Sequence, residues 1–246
     1  MVSRVVILAG GKGTRLRPFT ATFPKPLVPI GNMPILEILI RQLKAQGFNH
    51  VTLTLGHLSA LIRTFLAQHQ SLNKDVRIDF VEEELPTGTS GSLASVPGLD
   101  DTFLVMNGDV LTDLSFSRLL EDHKRSGASM TIATHRKQVK IDLGVIEADD
   151  DARLVGYLEK PGYQYEVSMG VYVYEPRVLK LIRRGQYLDL PTLVQMLVNR
   201  GEHVHLHRND AFWLDIGRPE DYARAQDIFE KDPGRFVPSE PQVEQF

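Results

Sequence analysis

The chain has 246 residues, 42% of them hydrophobic, and a formal net charge of −3. That length suits one large domain or two small ones, with enough apolar side chains for a sizeable core. With this slight acidic balance nothing points to a bulk nucleic-acid binder, the absence of cysteine excludes a disulfide scaffold and a thiolate zinc site, and no apolar stretch approaches the roughly 18 residues of a membrane helix.

Val5 to Leu8 is an apolar run that reads as a buried strand. Pro34 opens a helical pattern, with Ile35, Leu36, Leu39, Ile40 and Leu43 on one face and Gly47 as its stop. Strands are predicted over 51–55, 76–81 and 102–106, the last running out toward Asp109. Helices are predicted over 58–67 and 115–126, with a strand over 129–134 after them. This alternation predicts an α/β fold, a Rossmann-like three-layer α/β/α arrangement around a mixed, mainly parallel sheet. Residues 143–174 differ: three short strands (143–147, 153–158, 167–174) without helices predict a small antiparallel insert over one end of the sheet. Helices return at 176–183, 190–199 and from Pro219, where Tyr222, Ala225, Ile228 and Phe229 share a face. The expected organisation is one domain over 1–230 and a loose tail over 231–246, which carries three prolines.

The chemistry concentrates after the first strand. Leu8 and Ala9 lead into Gly10, Gly11 and Gly13, then Thr14 and Arg15, with Lys25 between two prolines further on. Glycines let a backbone approach a ligand closely, and the free N–H groups of such a loop attract phosphate. Arg15 and Lys25 add fixed positive charge, so the expected ligand is a polyphosphate. The dinucleotide fingerprint is excluded because it needs glycine where Leu16 stands, and the Walker loop because Gly13 follows Lys12. In open α/β sheets ligands sit beyond the carboxyl ends of strands, where both the glycine loop and Asp109 fall. Asp109 and Asp215, each after an apolar run, are hard oxygen ligands suited to Mg²⁺. His203, His205 and His207 alternate along a predicted strand and read as a polar face.

The run Leu8-Ala-Gly-Gly-Lys-Gly-Thr-Arg-Leu16, followed by Pro24-Lys-Pro-Leu27, resembles the signature of the sugar-1-phosphate nucleotidyltransferases. The resemblance continues through Asn107-Gly-Asp109, Glu159-Lys-Pro161, Ser168-Met-Gly-Val-Tyr172 and Phe212-Trp-Leu-Asp-Ile-Gly217, over roughly residues 4 to 229. It implies a Mg²⁺-dependent transfer of a nucleotidyl group to a sugar 1-phosphate. It makes Asp109 and Asp215 the metal ligands and Arg15, Lys25, Asp109 and Lys160 the catalytic set. Leu8, Ala9, Gly10, Gly11, Gly13, Thr14, Arg15 and Lys25 would line the nucleotide site. Gly144, Glu159, Lys160 and Ser168 would meet the sugar phosphate. Leu143 and Ser168 stand where the family often has an aromatic residue and asparagine, which leaves the sugar open.

The base would be selected by Glu83, Gly88 and Thr89. A carboxylate accepts two hydrogen bonds and donates none, which suits the paired N–H donors of guanine. The motif is closest to that of GDP-mannose and heptose-1-phosphate guanylyltransferase-like members, so GTP with a mannose- or heptose-like phosphate is expected. Uridylyl or thymidylyl transfer to a glucose-type phosphate is the alternative. The acidic run Glu82-Glu83-Glu84 also fits a solvated face. A nucleotide-sugar glycosyltransferase, using Asp109 and Asp113, has no triphosphate for Arg15 and Lys25 to act on. A regulatory subunit that only binds nucleotide sugar would need neither cation. The expected partners are the two substrates, without nucleic acid or membrane, in a homodimer by analogy with the family. No basic segment followed by an apolar core opens the chain, so a cytoplasmic location is expected.

Overall fold

Val5, Val6 and Ile7 have no solvent exposure, and they sit in β1 (Arg4–Ala9), a strand buried on both faces. A parallel strand covered by helices on both sides needs apolar side chains in both directions. The structure is a computed structural model, and it describes residues 4–83 and 85–238. After β1 the principal elements are α1 (Ile35–Ala45), β2 (His50–Leu55), α2 (Ser59–Gln68), β3 (Arg77–Glu82), β4 (Phe103–Asn107), β5 (Val110–Thr112) and α3 (Phe116–Ser126). Then come β6 (Met130–Lys140), β7 (Val145–Ala148), β8 (Leu154–Leu158), β9 (Gly162–Tyr174), α4 (Leu190–Asn199), β10 (Val204–Arg208), β11 (Trp213–Asp215) and α5 (Pro219–Lys231).

Seven strands form the central sheet in the order β10-β6-β9-β4-β1-β2-β3. β1 runs parallel to β2 and β4, β2 to β3, and β10 to β6, while β9 lies antiparallel between β4 and β6. The sheet is therefore mixed and mainly parallel, as the sequence predicts. Alternate residues of β1 feed two cores. Val5 and Ile7 join Leu36, Leu39 and Leu43 of α1, whereas Val6 joins Phe103, Val105, Tyr174 and Leu193. Helices thus cover both faces, which completes the three layers.

One register positions the site. Leu8 pairs with Asn107, so β1 and β4 end side by side and release the glycine loop and Asp109 at the same edge. The Gly108 amide donates to the Leu8 carbonyl at 3.0 Å, which fixes the two exits against each other.

Three predicted elements differ from those observed. The strand predicted to stop at 134 continues to Lys140, and its outer half pairs with Gly162–Ser168 as a projecting arm. The last of the three short strands is the inner end of the long β9, whose register shifts between Ser168 and Tyr172. β7 and β8 form a separate antiparallel pair on this arm. Residues 176–181 make a 3-10 stretch where a longer helix was predicted, closed by an i+3 bond from the Ile182 amide to the Leu179 carbonyl. The start of the expected loose tail is folded as well: Phe236 is fully buried against Phe212 and Phe229. An apolar ring gains too much from leaving water to stay free when such a surface is within reach. Residues 239–246 of that tail, and Glu84 of the acidic run, lie outside the described residues.

Candidate active site

Beyond β1 the backbone turns at Gly13, whose φ of 59° favours a residue without a side chain. A single 3-10 turn, Thr14–Leu16, follows and is pinned by the buried Leu16. The Thr20 hydroxyl donates to the Gly13 carbonyl at 2.6 Å. A Cβ on Gly13 would come within 3.2 Å of Lys25 Cβ, so the loop folds back directly over the lysine. Lys25 itself opens a short 3-10 turn between Pro24 and Pro26 and is 8% exposed. The result is a cleft of about 240 Å³ lined by Leu8, Ala9, Gly11, Gly13, Thr14, Arg15, Lys25, Gly108, Asp109 and Gly217, with Pro26. Eight residues predicted for the nucleotide and catalytic sites therefore share one cavity.

The two aspartates are brought together by β5 and β11, which pair antiparallel with Val110 opposite Asp215. The Ile216 amide donates to the Asp109 carbonyl at 3.0 Å and extends that register by one bond. The Lys25 ammonium donates to Asp109 Oδ2 and lies 3.9 Å from Asp215 Oδ1. Arg15 approaches from the other side: a Cβ on Gly217 would lie 3.0 Å from Asp215 Oδ2 and 3.5 Å from the Arg15 guanidinium. Burial first, and the Asp109 charge second, push the Asp215 carboxyl above its ordinary pKa, against the pull of Lys25 and Arg15. Among the described residues, Asp109 Oδ1 is buried with no hydrogen-bond partner.

These features fit a divalent cation. Two carboxylates share one ammonium, one oxygen lacks a partner, and one ionised group is disfavoured where it stands. Among the described residues no cluster of three or more His, Asp or Glu side chains offers a protein-only cage. Mg²⁺ needs none, since it takes one or two carboxylates together with substrate phosphates and water.

Glu83 leaves β3 beside the glycine loop, held by its amide to the Leu55 carbonyl at 2.9 Å. Its Oε2 lies 3.0 Å from where a Gly10 Cβ would stand, and its Oε1 accepts from the Thr87 hydroxyl and, at 3.4 Å, the Thr87 amide. Gly88 and Thr89 have a scaffolding contact that the sequence does not signal. Gly88, with φ of 81°, backs onto the Leu188 carbonyl, and the Thr89 hydroxyl accepts from the Leu190 amide at 2.9 Å at the start of α4.

Gly144, Glu159 and Lys160 lie on the projecting arm and do not line the cleft. Gly144 and Glu159 both meet Tyr157, whose hydroxyl donates to Glu159 Oε2 at 3.1 Å and would stand 2.1 Å from a Cβ on Gly144. Lys160 occupies the turn after β8 with φ of 47°. Ser168 sits nearer the cleft. Its hydroxyl donates to the Tyr172 hydroxyl at 3.0 Å and accepts from the Gly170 amide at 3.2 Å. Gly170 packs on Asn107 at the end of β4, where a Cβ would meet Asn107 Nδ2 at 2.6 Å. Burial, with the Asp109 charge adding to it, pushes the Tyr172 hydroxyl up.

Among the structural partners of these groups, Asn107 and Trp213 stand inside the quoted motifs without an expected role, and Tyr157 stands outside them. Asn107 stands inside the Asn-Gly-Asp run and was findable there, while Tyr157 is an isolated aromatic with no local signature. Trp213 donates from Nε1 to the Met169 carbonyl at 2.7 Å, which ties β11 to the bend in β9. The predicted histidine face serves the fold: His205 and His207 both bond Asp122 of α3, at 3.0 and 2.8 Å.

Residues 4–232 match the family model described as nucleotidyl transferase. The chain is 33% identical over 240 residues to a UTP–glucose-1-phosphate uridylyltransferase of Synechocystis sp., covering 90% of this chain and 62% of that protein. It is 34% identical over 227 residues to a mannose-1-phosphate guanylyltransferase of Mycobacterium tuberculosis, covering 89% and 62%. The crystal structure of HddC from Yersinia pseudotuberculosis matches with a TM-score of 0.72 at 26% identity, over 93% of this chain and 100% of that one. HddC complexed with GMP-PN matches with a TM-score of 0.71 at 25% identity, over 93% and 100%. The chain thus spans less than two thirds of the length of these two curated relatives.

Proposed function

Because the chain belongs to the nucleotidyl transferase family, we propose that it moves a nucleotidyl group from a nucleoside triphosphate to a sugar 1-phosphate, with release of pyrophosphate. The observation that carries this reading is the Lys25, Asp109 and Asp215 cluster at the mouth of the glycine loop, with Arg15 beside it. The sugar phosphate oxygen attacks the α-phosphorus. It needs no general base, because the second pKa of a phosphate monoester is about 6 and the nucleophile is ionised at neutral pH. Catalysis is then positioning and charge stabilisation.

In this reading Gly10, Gly11, Gly13 and Thr14 cradle the triphosphate with their backbone, and Leu8 and Ala9 form the cleft floor. Arg15 holds the leaving β- and γ-phosphates. Lys25 serves the α-phosphate side while keeping the two carboxylates compatible. Asp109 and Asp215 would hold Mg²⁺, which supplies neutralisation of phosphate charge when bound. Lys160 clamps the sugar phosphate, and Gly144, Glu159 and Ser168 face the sugar. The catalytic domain is taken as residues 1–230, and the buried Phe236 carries its packing a few residues further.

The base is read as guanine. Glu83 Oε2 faces the glycine loop, and its second oxygen, oriented by Thr87, keeps a further lone pair. Similarity to the mycobacterial guanylyltransferase and to HddC complexed with GMP-PN supports the same base. The comparable similarity to a uridylyltransferase keeps UTP as the second reading. A non-catalytic subunit would not need Arg15 and Lys25 together in one cleft. No described helix is long and apolar enough to cross a membrane. The same reading takes a cytoplasmic homodimer that engages neither nucleic acid nor membrane.

Pyrophosphate release with Mg²⁺, across GTP, UTP, dTTP, CTP and ATP against mannose, glucose, N-acetylglucosamine and heptose 1-phosphates, tests both levels. Release that needs GTP and a mannose- or heptose-like phosphate is the expected result. Release with UTP or dTTP alone would overturn the base reading and leave the reaction standing. No release in any combination, with folded protein, would overturn the reaction.

A further inference from the structure

Asp113 lies four residues past Asp109, and the sequence offers it as a second spaced carboxylate. It does not line the cleft. Its Oδ1 accepts from the Phe212 amide at 2.7 Å, and its Oδ2 accepts from Arg235 Nε at 2.5 Å. Phe212 immediately precedes β11, the strand that delivers Asp215. Two more bonds reach the same point: the Thr112 hydroxyl donates to the Phe212 carbonyl at 2.6 Å, and the Asp113 amide to that carbonyl at 3.4 Å.

Arg235 is held from its other side too. Its guanidinium lies over the rings of Phe212 and Phe236, at 5.1 and 5.6 Å from the centroids. Phe236 is fully buried and packs against Phe229 of α5. The stretch from 233 to 236 is therefore a strap, anchored in the core and clasping the entry to β11.

Such a clasp matters because β11 is short. It has three residues and one partner strand, β5, and a two-stranded ribbon is marginal without outside support. Its register decides the site. A slip of one residue would turn Asp215 to the opposite face. The Ile216 amide bonded to the Asp109 carbonyl fastens the far end, and Asp113 with Arg235 fastens the near end.

We propose that Arg235 is a positioning residue: acting through Asp113 and Phe212, it fixes the register of β11 so that Asp215 stands beside Asp109 as the second metal ligand. Arg235 touches neither substrate nor metal. The inference rests on the reading of Asp109 and Asp215 as ligands. Loss of a group that directly supports a ligand lowers metal affinity by about 10–100-fold, so a support one step further out is expected to cost about fivefold.

The test uses the full chain and Mn²⁺ as the probe. Binding is followed by the loss of the free-ion electron paramagnetic resonance signal and by the emission of Trp213, the chain's single tryptophan. The half-saturating Mn²⁺ concentration is expected to rise about fivefold in Arg235→Met and in Asp113→Asn, and less in Arg235→Lys, which keeps the charge. Joining Arg235→Met with Asp113→Asn should add little, because both break one link. Turnover at saturating metal should stay within about twofold, since the ligands themselves remain. If Arg235→Met does not fold, Arg235→Lys and Asp113→Asn carry the test. Unchanged Mn²⁺ binding in these strap variants, while Asp215→Asn weakens it, would overturn the strap. Unchanged Mn²⁺ binding in Asp215→Asn would instead overturn the ligand reading beneath it.

Discussion

Replacing Lys25 with methionine isolates the charge balance at the cleft. Methionine keeps much of the apolar stem and removes the ammonium. Asp109 and Asp215 then lose the ammonium they share, with Arg15 left beside Asp215 alone, and Asp109 Oδ1, without a hydrogen-bond partner among the described residues, remains buried. At the 3.9 Å separation of Lys25 and Asp215, and an effective dielectric of about 20, Coulomb attraction alone is worth about 4 kcal/mol. Two effects reduce the net figure. The Asp215 side chain is 40% exposed, so water screens the pair. The buried ammonium also carries its own desolvation cost, which the substitution removes. The expected net loss is about 2–3 kcal/mol, which for a domain of this size lowers the melting temperature by roughly 5–8 °C. Thermal unfolding at pH 7 measures it, first with chelator and then with millimolar Mg²⁺. Mg²⁺ should recover more of the variant's stability than it adds to the wild type, because a bound cation supplies the charge that Lys25 no longer does. Wild-type melting of Lys25→Met in chelator would refute the charge argument. A deficit that Mg²⁺ leaves untouched would refute the uptake of a divalent ion by the two aspartates.

Three further predictions probe separate parts of the molecule. Arg15→Ala removes an exposed guanidinium beside Gly217, so unfolding should shift by no more than about 0.5 kcal/mol while turnover falls by about a hundredfold or more; turnover near that of the wild type would sink the role given to Arg15. Gly144→Ala places a methyl 2.1 Å from the Tyr157 hydroxyl, forcing the ring away from Glu159. Steady-state kinetics should then show a higher KM for the sugar phosphate with the KM for the nucleotide unchanged, and equal rises in both would detach the arm from the sugar. Asp122→Asn tests the histidine face: burial works to raise the Asp122 carboxyl, but hydrogen bonds from His207, His205 and Arg125 prevail and hold it well below the usual carboxylate range. A carboxyl depressed in the folded state contributes stability above its unfolded pKa of about 4 and loses it as pH falls further, so the variant should be less stable by about 1–2 kcal/mol at pH 7, with the gap closing below about pH 4. A gap in urea unfolding that stays constant down to about pH 2 would contradict this account.

What could be read from the chain follows from how local each signal is. The glycine loop was legible because backbone constraint and the proposed phosphate contacts fall on consecutive residues, Gly10 through Arg15. The parallel strands were legible because burial on both faces demands an unbroken apolar run, as in Val5–Leu8. The antiparallel insert was legible but the bounds of its last strand were not, because β9 changes character along its length. Its outer half is largely exposed and its inner half buried, and the register shift at Ser168–Tyr172 separates the two, so one strand presents two patterns. Lys25 and the two aspartates were each expected at the site, but the pairing of Lys25 with those carboxylates was not. They arrive from two other segments, and the β5–β11 register that joins those segments leaves no trace in either sequence. The start of the tail, 231–238, was misread for the same reason: prolines and charges dominate the sequence there, and the ring of Phe236 finds its place only against Phe212 and Phe229. Groups proposed to meet phosphate or metal are therefore conspicuous in the chain, because their chemistry restricts residue type. Groups that set the distance between them, such as Arg235 and Asp113, look like ordinary surface charges until the fold brings them together. The spacing of the two aspartates, on which the proposed metal site depends, is a property of that second kind of residue.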